Sequence, residues 1–409
     1  MITIQGSQNI ASIEQYLTEL EVAKNETDVR LPTSLTEERA GGKAALIQAI
    51  ITWAKHTRTG RLVTRIGASQ EHDIYLQNLS ATEHGLVTLL MAREIVAGND
   101  TSLTHAGLQQ AYSDYRKLSF APRAVGTRCL FLVSNRFSRA ETPNAYESIA
   151  GTIAPGKDEW FKKEVARQVN LCISRSPAKS IPPTDCAAIG EIAYELFANA
   201  EEWGSSEFDG STIFPSVRGI IIEVHGKARA SQADLLQDVS GSPPMEQFLK
   251  DWYERSRVLP AFLELSIFDS GVGLAQRTAD ARLTEETDLE REYKLVLDCL
   301  RKYSSSSHRG TRGLGLYYVM SLLTKTRGFL RYRSGRLSLF RDFNTHQFMP
   351  ELGHDQFVER PTSKFKVRNI FLFDWKSQSP TLVRFPRVDG ALFTMLFPLM
   401  GADEQMNLP

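Results

Sequence analysis

The 409-residue chain exceeds the roughly 250–300 residues at which a single hydrophobic core stops growing, so two domains are expected. Apolar residues at 42% and charged residues at 23% exclude a disordered or fibrous chain. With 48 basic and 48 acidic side chains, no global field draws the chain to nucleic acid or an anionic membrane, so such a partner needs a local patch.

The opening stretch MITIQGSQNIASIEQYL lacks the basic start and apolar run of a signal peptide. No later segment reaches the ~20 apolar residues of a membrane span, and a cytoplasmic protein without membrane contact is expected. Cys129, Cys172, Cys186 and Cys299 lie far apart, with no zinc-ligand spacing, and read as reduced thiols. Ile10, Ile13, Leu17 and Leu20 repeat at helical spacing, and a second helix is expected from Ala44 to Trp53, after Gly41 and Gly42. RLVTRI (61–66) predicts a strand, His84 to Val96 a helix, and Cys129 to Val133 a buried strand. Residues 1–150 are thus expected to form a mixed α/β domain that regulates or binds a protein partner. The boundary is placed in the glycine- and proline-containing stretch from Thr142 to Lys157, before a helix from Asp158 to about Ile173.

Three segments downstream carry the chemistry. After Pro182 and Pro183, with Thr184 or Asp185 as cap, a helix is predicted to run to Gly204, its stripe formed by Ile189, Ile192, Leu196, Ala200 and Trp203. On it Glu195 and Asn199 stand one turn apart, so a carboxylate and an amide oxygen can converge. Asn199 suits Mg²⁺ ligation and Glu195 suits activation of a water, although a solvated polar face would show the same residues. AFLELSIFDSGVGL (261–274) alternates as a strand and ends in Asp269, Gly271 and Gly273. The glycines permit positive φ and close backbone approach, and the carboxylate can accept from the amino group of adenine; an ordinary turn has the same composition. In SSSSHRGTRGLGLYYVMSLL (304–323), Gly310, Gly313 and Gly315 lead into an apolar helix. Its amino terminus suits phosphate, with Ser305, Ser306, Arg309 and Arg312 as further donors. A glycine loop packed on its own helix is the alternative.

No GxxxxGK[ST] sequence is present, and no GxGxxG joins an early strand to a helix. The order ExxxN, DxGxG, GxxGLGL resembles the GHKL superfamily of gyrase, Hsp-type chaperones, histidine kinases and MutL, over roughly residues 160–400. The resemblance implies an α+β fold: a two-layer α/β sandwich in which a mixed, Bergerat-type sheet is covered by helices on one face, here spanning 158–400. It implies ATP and Mg²⁺ as cofactors, Glu195 as catalytic base, Asn199 as metal ligand and Asp269 as the adenine contact. Gly271 and Gly273 would shape the pocket, residues between Gly273 and Gly310 would form a lid, and Ser305, Ser306 and 310–316 would contact phosphate. GFLRYRSGR (328–336) and VDGALFTMLFPL (388–399) resemble the last strands, but Ala391 stands where the family often has threonine. The 29–66 layout weakly resembles a STAS domain.

No histidine has the context of a phosphoacceptor, so a phosphorelay is disfavoured. The chain ends about ten residues after the last expected strand, so output is expected through residues 1–150 or another protein. The stretch from Arg301 to Asp342 holds ten Lys or Arg and one acid. Within it Arg331, Arg333, Arg336 and Arg341 alternate as on a strand with a basic exposed face, a solvated surface being favoured over a nucleic-acid one. The expected function is ATP hydrolysis that switches conformation and partner contacts, with a homodimer plausible from the superfamily and a role in prokaryotic stress or phage defence. The alternatives are an anti-sigma-type serine protein kinase and a nucleotide-binding module without turnover.

Overall fold

The computed structural model describes residues 1–5, 9–23, 27–33, 40–57, 60–64, 69–120, 123–125, 128–137, 157–174, 183–225, 229–256, 260–300, 315–347, 357–359, 366–368 and 371–399. The amino-terminal part alternates short strands with helices: β1 (Ile2–Thr3), α1 (Ile10–Ala23), β2 (Val29–Arg30), α2 (Gly42–His56), β3 (Leu62–Val63), α3 (Ser69–Ser80), α4 (Glu83–Met91), β4 (Ile95–Val96) and α5 (Thr104–Phe120). The four strands are parallel in the order β1-β2-β3-β4, as helical crossovers require. The helix expected over 84–96 is shorter. Thr82 caps it by accepting from the Gly85 amide, the chain turns extended at Ala92, and Ile95–Val96 joins the sheet instead.

After α5 come β5 (Arg123–Val125), β6 (Arg128–Ser134), α6 (Lys157–Ser174), α7 (Pro183–Trp203), β7 (Val217–His225), α8 (Arg229–Asp238), α9 (Pro243–Arg255) and β8 (Ala261–Asp269). The chain continues through α10 (Leu274–Thr278), α11 (Leu289–Cys299), α12 (Gly315–Thr326), β9 (Phe329–Gly335), β10 (Leu337–Asp342), the pair β11 (Phe357–Glu359) and β12 (Lys366–Arg368), β13 (Phe373–Asp374) and β14 (Val388–Leu399). Eight of these strands form one sheet in the order β13-β10-β9-β14-β8-β7-β6-β5. Because β5 and β6 extend it, the sheet draws on both sides of the 142–157 stretch.

The α+β class holds, but two details of the expected sheet are corrected. Every pairing in the eight-stranded sheet is antiparallel, so it is not mixed. Helices also cover both of its faces rather than one. Alternation along β8 explains why: Leu263, Leu265 and Ile267 face the core beneath α6, α7, α11 and α12, whereas Phe262 and Phe268 face a second core containing α2, α4 and α9. A strand covered on both sides has no solvent face, and all of β8 up to Phe268 is buried.

Helix α2 lies between the two sheets. Every residue from Gly42 to Ala54 is buried, as a helix without a polar face requires. Truncating Leu46 or Ile50 to alanine would cost about 2–5 kcal/mol, the usual range for emptying a packed aliphatic position. Its start is fixed by Gly41 (φ +87°), whose amide donates to Glu264 Oε2 at 3.0 Å. A Cβ at Gly41 would come within 2.8 Å of Thr394 Cγ2, so glycine lets the helix meet the sheet closely. Burial alone would raise the Glu264 carboxyl, but His225, Ser266 and the Gly41 amide hold it below the usual range.

The basic strand face is also corrected. Arg331, Arg333, Arg336 and Arg341 are all at most 4% exposed, because α1 and the loops after α10 and β10 cover them. Glu14 on α1 accepts from Arg331 Nη2 at 2.8 Å and Arg333 Nε at 2.9 Å. Arg336 pairs with Glu292 at 2.9 Å, and Arg341 donates to the carbonyls of His346, Gln347 and Phe371. These cations hold the fold together and offer no stripe to nucleic acid. Among the described residues, no helix is long and apolar enough to cross a membrane.

Candidate functional site

Helix α7 begins at Pro183, where a fixed φ and a missing N–H suit a first turn, and ends at Gly204, whose amide closes on Ala200 O at 2.7 Å. Ile189, Ile192, Leu196 and Ala200 bury its inner face. This packing carries Asn199 and Trp203 over the carboxyl end of β8, where Asp269 emerges. Leu196, Asn199, Trp203, Asp269, Gly273 and Arg277, with Ala391 and Phe393 of β14, line a cavity of about 30 Å³.

Asp269 is the pivot of this cavity. Its Oδ1 accepts from the Gly271 amide at 2.8 Å and the Ala391 amide at 3.3 Å, and no described group donates to Oδ2. Burial pushes the carboxyl up to about 6, against the pull of those two amides and of the Lys55 and Arg218 charges. The group is therefore mostly ionised at neutral pH and accepts hydrogen bonds only. The Trp203 indole N–H is buried, and no described group accepts from it.

Gly273 takes the positive φ expected of it, and protein atoms crowd both glycines. A Cβ at Gly271 would lie 2.5 Å from Trp203 O and 3.0 Å from Gly204 Cα; one at Gly273 (φ +82°) would lie 2.1 Å from Ser334 Oγ. Both positions thus require glycine because neighbouring protein atoms fill the space. Gly390 (φ +73°) is tighter still, since its Cβ would come within 1.8 Å of Asp269 O, while its amide donates to Gly271 O at 2.8 Å. The turn after β8 and the start of β14 are therefore locked together. Ser270 adds a tie: its hydroxyl donates to Gly204 O at 3.1 Å and accepts from the Val217 amide at 3.0 Å.

Asn199 and Asp269 come together as expected, with Gly273 beside them. Glu195 is half-buried one turn back on α7 and does not line the cavity. Asn199 Nδ2 donates to Glu195 O at 2.8 Å, which aims Oδ1 outward; that oxygen accepts from Arg277 Nη1 at 3.4 Å. The Arg277 guanidinium lies 3.9 Å from the centre of the Trp203 ring, a cation–π contact. Among the described residues no cluster of three His, Cys, Asp or Glu side chains could hold a metal. Ser305, Ser306, Arg309, Gly310, Arg312, Gly313 and Leu314 lie outside the described residues. Gly315 opens α12, and the Leu316 side chain packs into the core. Within the expected lid, α11 is pinned to the sheet by Glu292 and by the Tyr293 hydroxyl, which donates to Leu372 O at 2.8 Å.

Sequence reasoning missed Arg277 and Ser270, took Gly390 only as part of the last strand segment, and named Trp203 only as part of a stripe. The spacing held a signal: Glu195, Asn199 and Trp203 repeat every four residues, and Arg277 follows Gly273 by four on α10. Ser270 and Gly390 act through contacts between distant strands, which no local spacing reveals.

No protein-family model, curated protein or solved structure matches this chain.

Proposed function

We propose that the cavity between α7 and the ends of β8 and β14 is the base end of an ATP site of the GHKL, Bergerat type, and that residues 158–400 work as an Mg-dependent ATPase. The observation that carries this reading is the buried Asp269 carboxyl, to whose Oδ2 no described group donates, in the same cavity wall as Trp203, whose indole N–H meets no described acceptor. Such a pair suits a flat heterocycle with both an amino donor and a ring acceptor. Adenine needs more room than 30 Å³, so Arg277 must swing off the Trp203 ring to admit it. That movement gives up its contacts with Asn199 Oδ1 and the Trp203 ring.

Bound Mg·ATP would supply a phosphoryl group for transfer to water. Asn199 Oδ1, which already faces the Arg277 cation, is the oxygen that would hold magnesium, a metal that takes few protein ligands beside phosphate. Glu195 would accept the water's proton after a rotamer change toward the cavity mouth. Movement of the 269–271 turn would pass to α2, since Lys55 donates to Ser270 O at 3.1 Å and pairs with Asp389 at 3.2 Å. The amino-terminal elements are then the output surface for a protein partner.

Nucleotide binding without turnover is the second reading, favoured by the placement of Glu195 outside the cavity wall. Titration with ATP and phosphate-release measurements on the intact chain separate the two. Wild-type protein is expected to bind and hydrolyse ATP, Glu195→Ala to bind it and lose most turnover, and Asp269→Asn to lose binding. Equal ATP affinity in wild type and Asp269→Asn would remove the site.

A further inference from the structure

A larger cavity, about 260 Å³, opens between α1, the carboxyl end of α2 and the segment before β14. It is just below the ~300 Å³ at which pockets for drug-sized ligands begin, so it suits a small metabolite. Leu17, Leu20 and the Trp53 ring supply apolar walls. The Trp53 indole N–H is satisfied by Thr27 O at 2.7 Å, so that wall presents only ring carbon.

The polar lining is unevenly engaged. Glu21 and Glu285 are both held by Arg384, at 2.7 Å and 2.8 Å, so neither carboxylate seeks a cation. Arg387, by contrast, has its guanidinium no nearer than 3.9 Å to Glu285, beyond hydrogen-bond reach. His56 lies with its side chain half exposed, and its Nε2 stands 2.6 Å from Asp389 Oδ2. Asp389 favours the protonated ring, and no described group bonds its other nitrogen. Arg387 and His56 thus line one chamber with Leu17, Leu20 and Trp53, while Glu21 and Glu285 at its rim each accept from Arg384.

We infer that this cavity is a second ligand site, which takes a small organic carboxylate whose apolar body packs on Leu17, Leu20 and Trp53 and whose carboxylate bridges His56 and Arg387. The Arg387 guanidinium, beside a His56 ring that Asp389 draws toward its protonated form, matches a planar monoanion. A phosphate dianion would add charge beside Glu21 and Glu285. The site also has a route to the smaller cavity. Asp389 precedes Gly390 and Ala391, whose amides bind Gly271 O and Asp269 Oδ1, so a ligand drawing His56 away from Asp389 would shift the carboxylate there. That coupling, unlike binding itself, rests on the nucleotide reading above.

Ligand-observed NMR and calorimetry on the full chain test the site, with phenylacetate and hexanoate as probes, benzyl alcohol and hexanol as neutral counterparts, and acetate as an anion without a body. The two carboxylates are expected to bind, the alcohols and acetate about tenfold or more weakly, as loss of a charge-assisted pair or of the buried apolar body implies. Arg387→Gln, a surface change, should reproduce the loss for phenylacetate, and Leu20→Trp should block it by filling the chamber. Asp269→Asn should leave it intact even if nucleotide binding fails. Absent or equal binding of acids and alcohols, or full affinity in Arg387→Gln, overturns the assignment. If the acids bind but ATP does not, this site stands and the nucleotide reading falls.

Discussion

Glu14→Gln is the most informative single change for the packing of α1 on the sheet. Arg331 is 1% exposed, and burial pulls its guanidinium down to about 10 despite the opposing charge of Glu14. Its Nη2 donates to Glu14, its Nε and Nη1 are buried and meet no described partner, and a cation–π contact lies 5.0 Å away at the Trp375 ring. Arg333 depends less on Glu14, because the carbonyls of Gly335, Leu337 and Pro386 also accept from it. Neutralising Glu14 while keeping its size therefore strands one buried cation nearly alone. Breaking a buried pair from one side costs about 3–5 kcal/mol. Urea unfolding, followed by tryptophan fluorescence and circular dichroism, reads this as a lower midpoint at unchanged slope. Arg331→Met in the same background should recover most of the loss, since an apolar side chain leaves no unpaired charge; the double-mutant cycle isolates the coupling. A Glu14→Gln cost below about 1 kcal/mol, the level of exposed pairs, would refute the claim that α1 seals this face.

Asp269→Asn should trade function for stability. A carboxyl raised from 3.8 to about 6 favours the fold below its unfolded value, and that contribution is lost as pH rises through 6. Asparagine should then stabilise the protein at pH 8 by on the order of 2–3 kcal/mol and give no advantage below pH 4 in thermal melts. By the same titration, wild-type affinity for ATP should fall as pH drops through 6, because protonated Asp269 no longer accepts freely; an affinity flat from pH 5 to 8 would contradict the proposed contact. Arg277→Ala should tighten adenosine binding severalfold in calorimetry by vacating the Trp203 ring, and weaker binding would mean that the guanidinium assists the base instead. Gly390→Ala should destabilise by more than ~1 kcal/mol, combining a strained positive φ with a clash at Asp269 O; a neutral melt would show that the β14 turn relaxes at little cost.

Much of the candidate site could be read in advance because its parts are local patterns. The i, i+4 pair of Glu195 and Asn199, the alternating strand ending at Asp269 and the long strand 388–399 each announce themselves within a dozen residues. The second face of the sheet could not be read this way. Arg331, Arg333, Arg336 and Arg341 alternate with apolar residues just as a solvated strand does, and only partners elsewhere in the chain make them interior: Glu14, over three hundred residues away, meets Arg331 and Arg333, while Glu292 meets Arg336 and the Phe371 carbonyl meets Arg341. Ser69–Ser80 shows little apolar periodicity and Ile95–Val96 is only two residues long, so the early crossovers fell below what periodicity detects. Helix α2 gave a partial clue, since the largely apolar run from Ala44 to Trp53 must be covered, but the sequence does not say by what, nor what its buried Lys43, Gln48 and Thr52 meet.

The placement of α2 has a consequence for synthesis. Its contacts close loops of 223 residues to Glu264 and 285 residues to Arg333, so its apolar surface emerges from the ribosome long before the strands that will enclose it. Non-local closure of this size slows folding and leaves greasy helix exposed in the interval. The nascent amino-terminal half is thus a natural client for a holding chaperone. A polypeptide cut near residue 150 would yield two sticky pieces, each lacking the surface that shields the other.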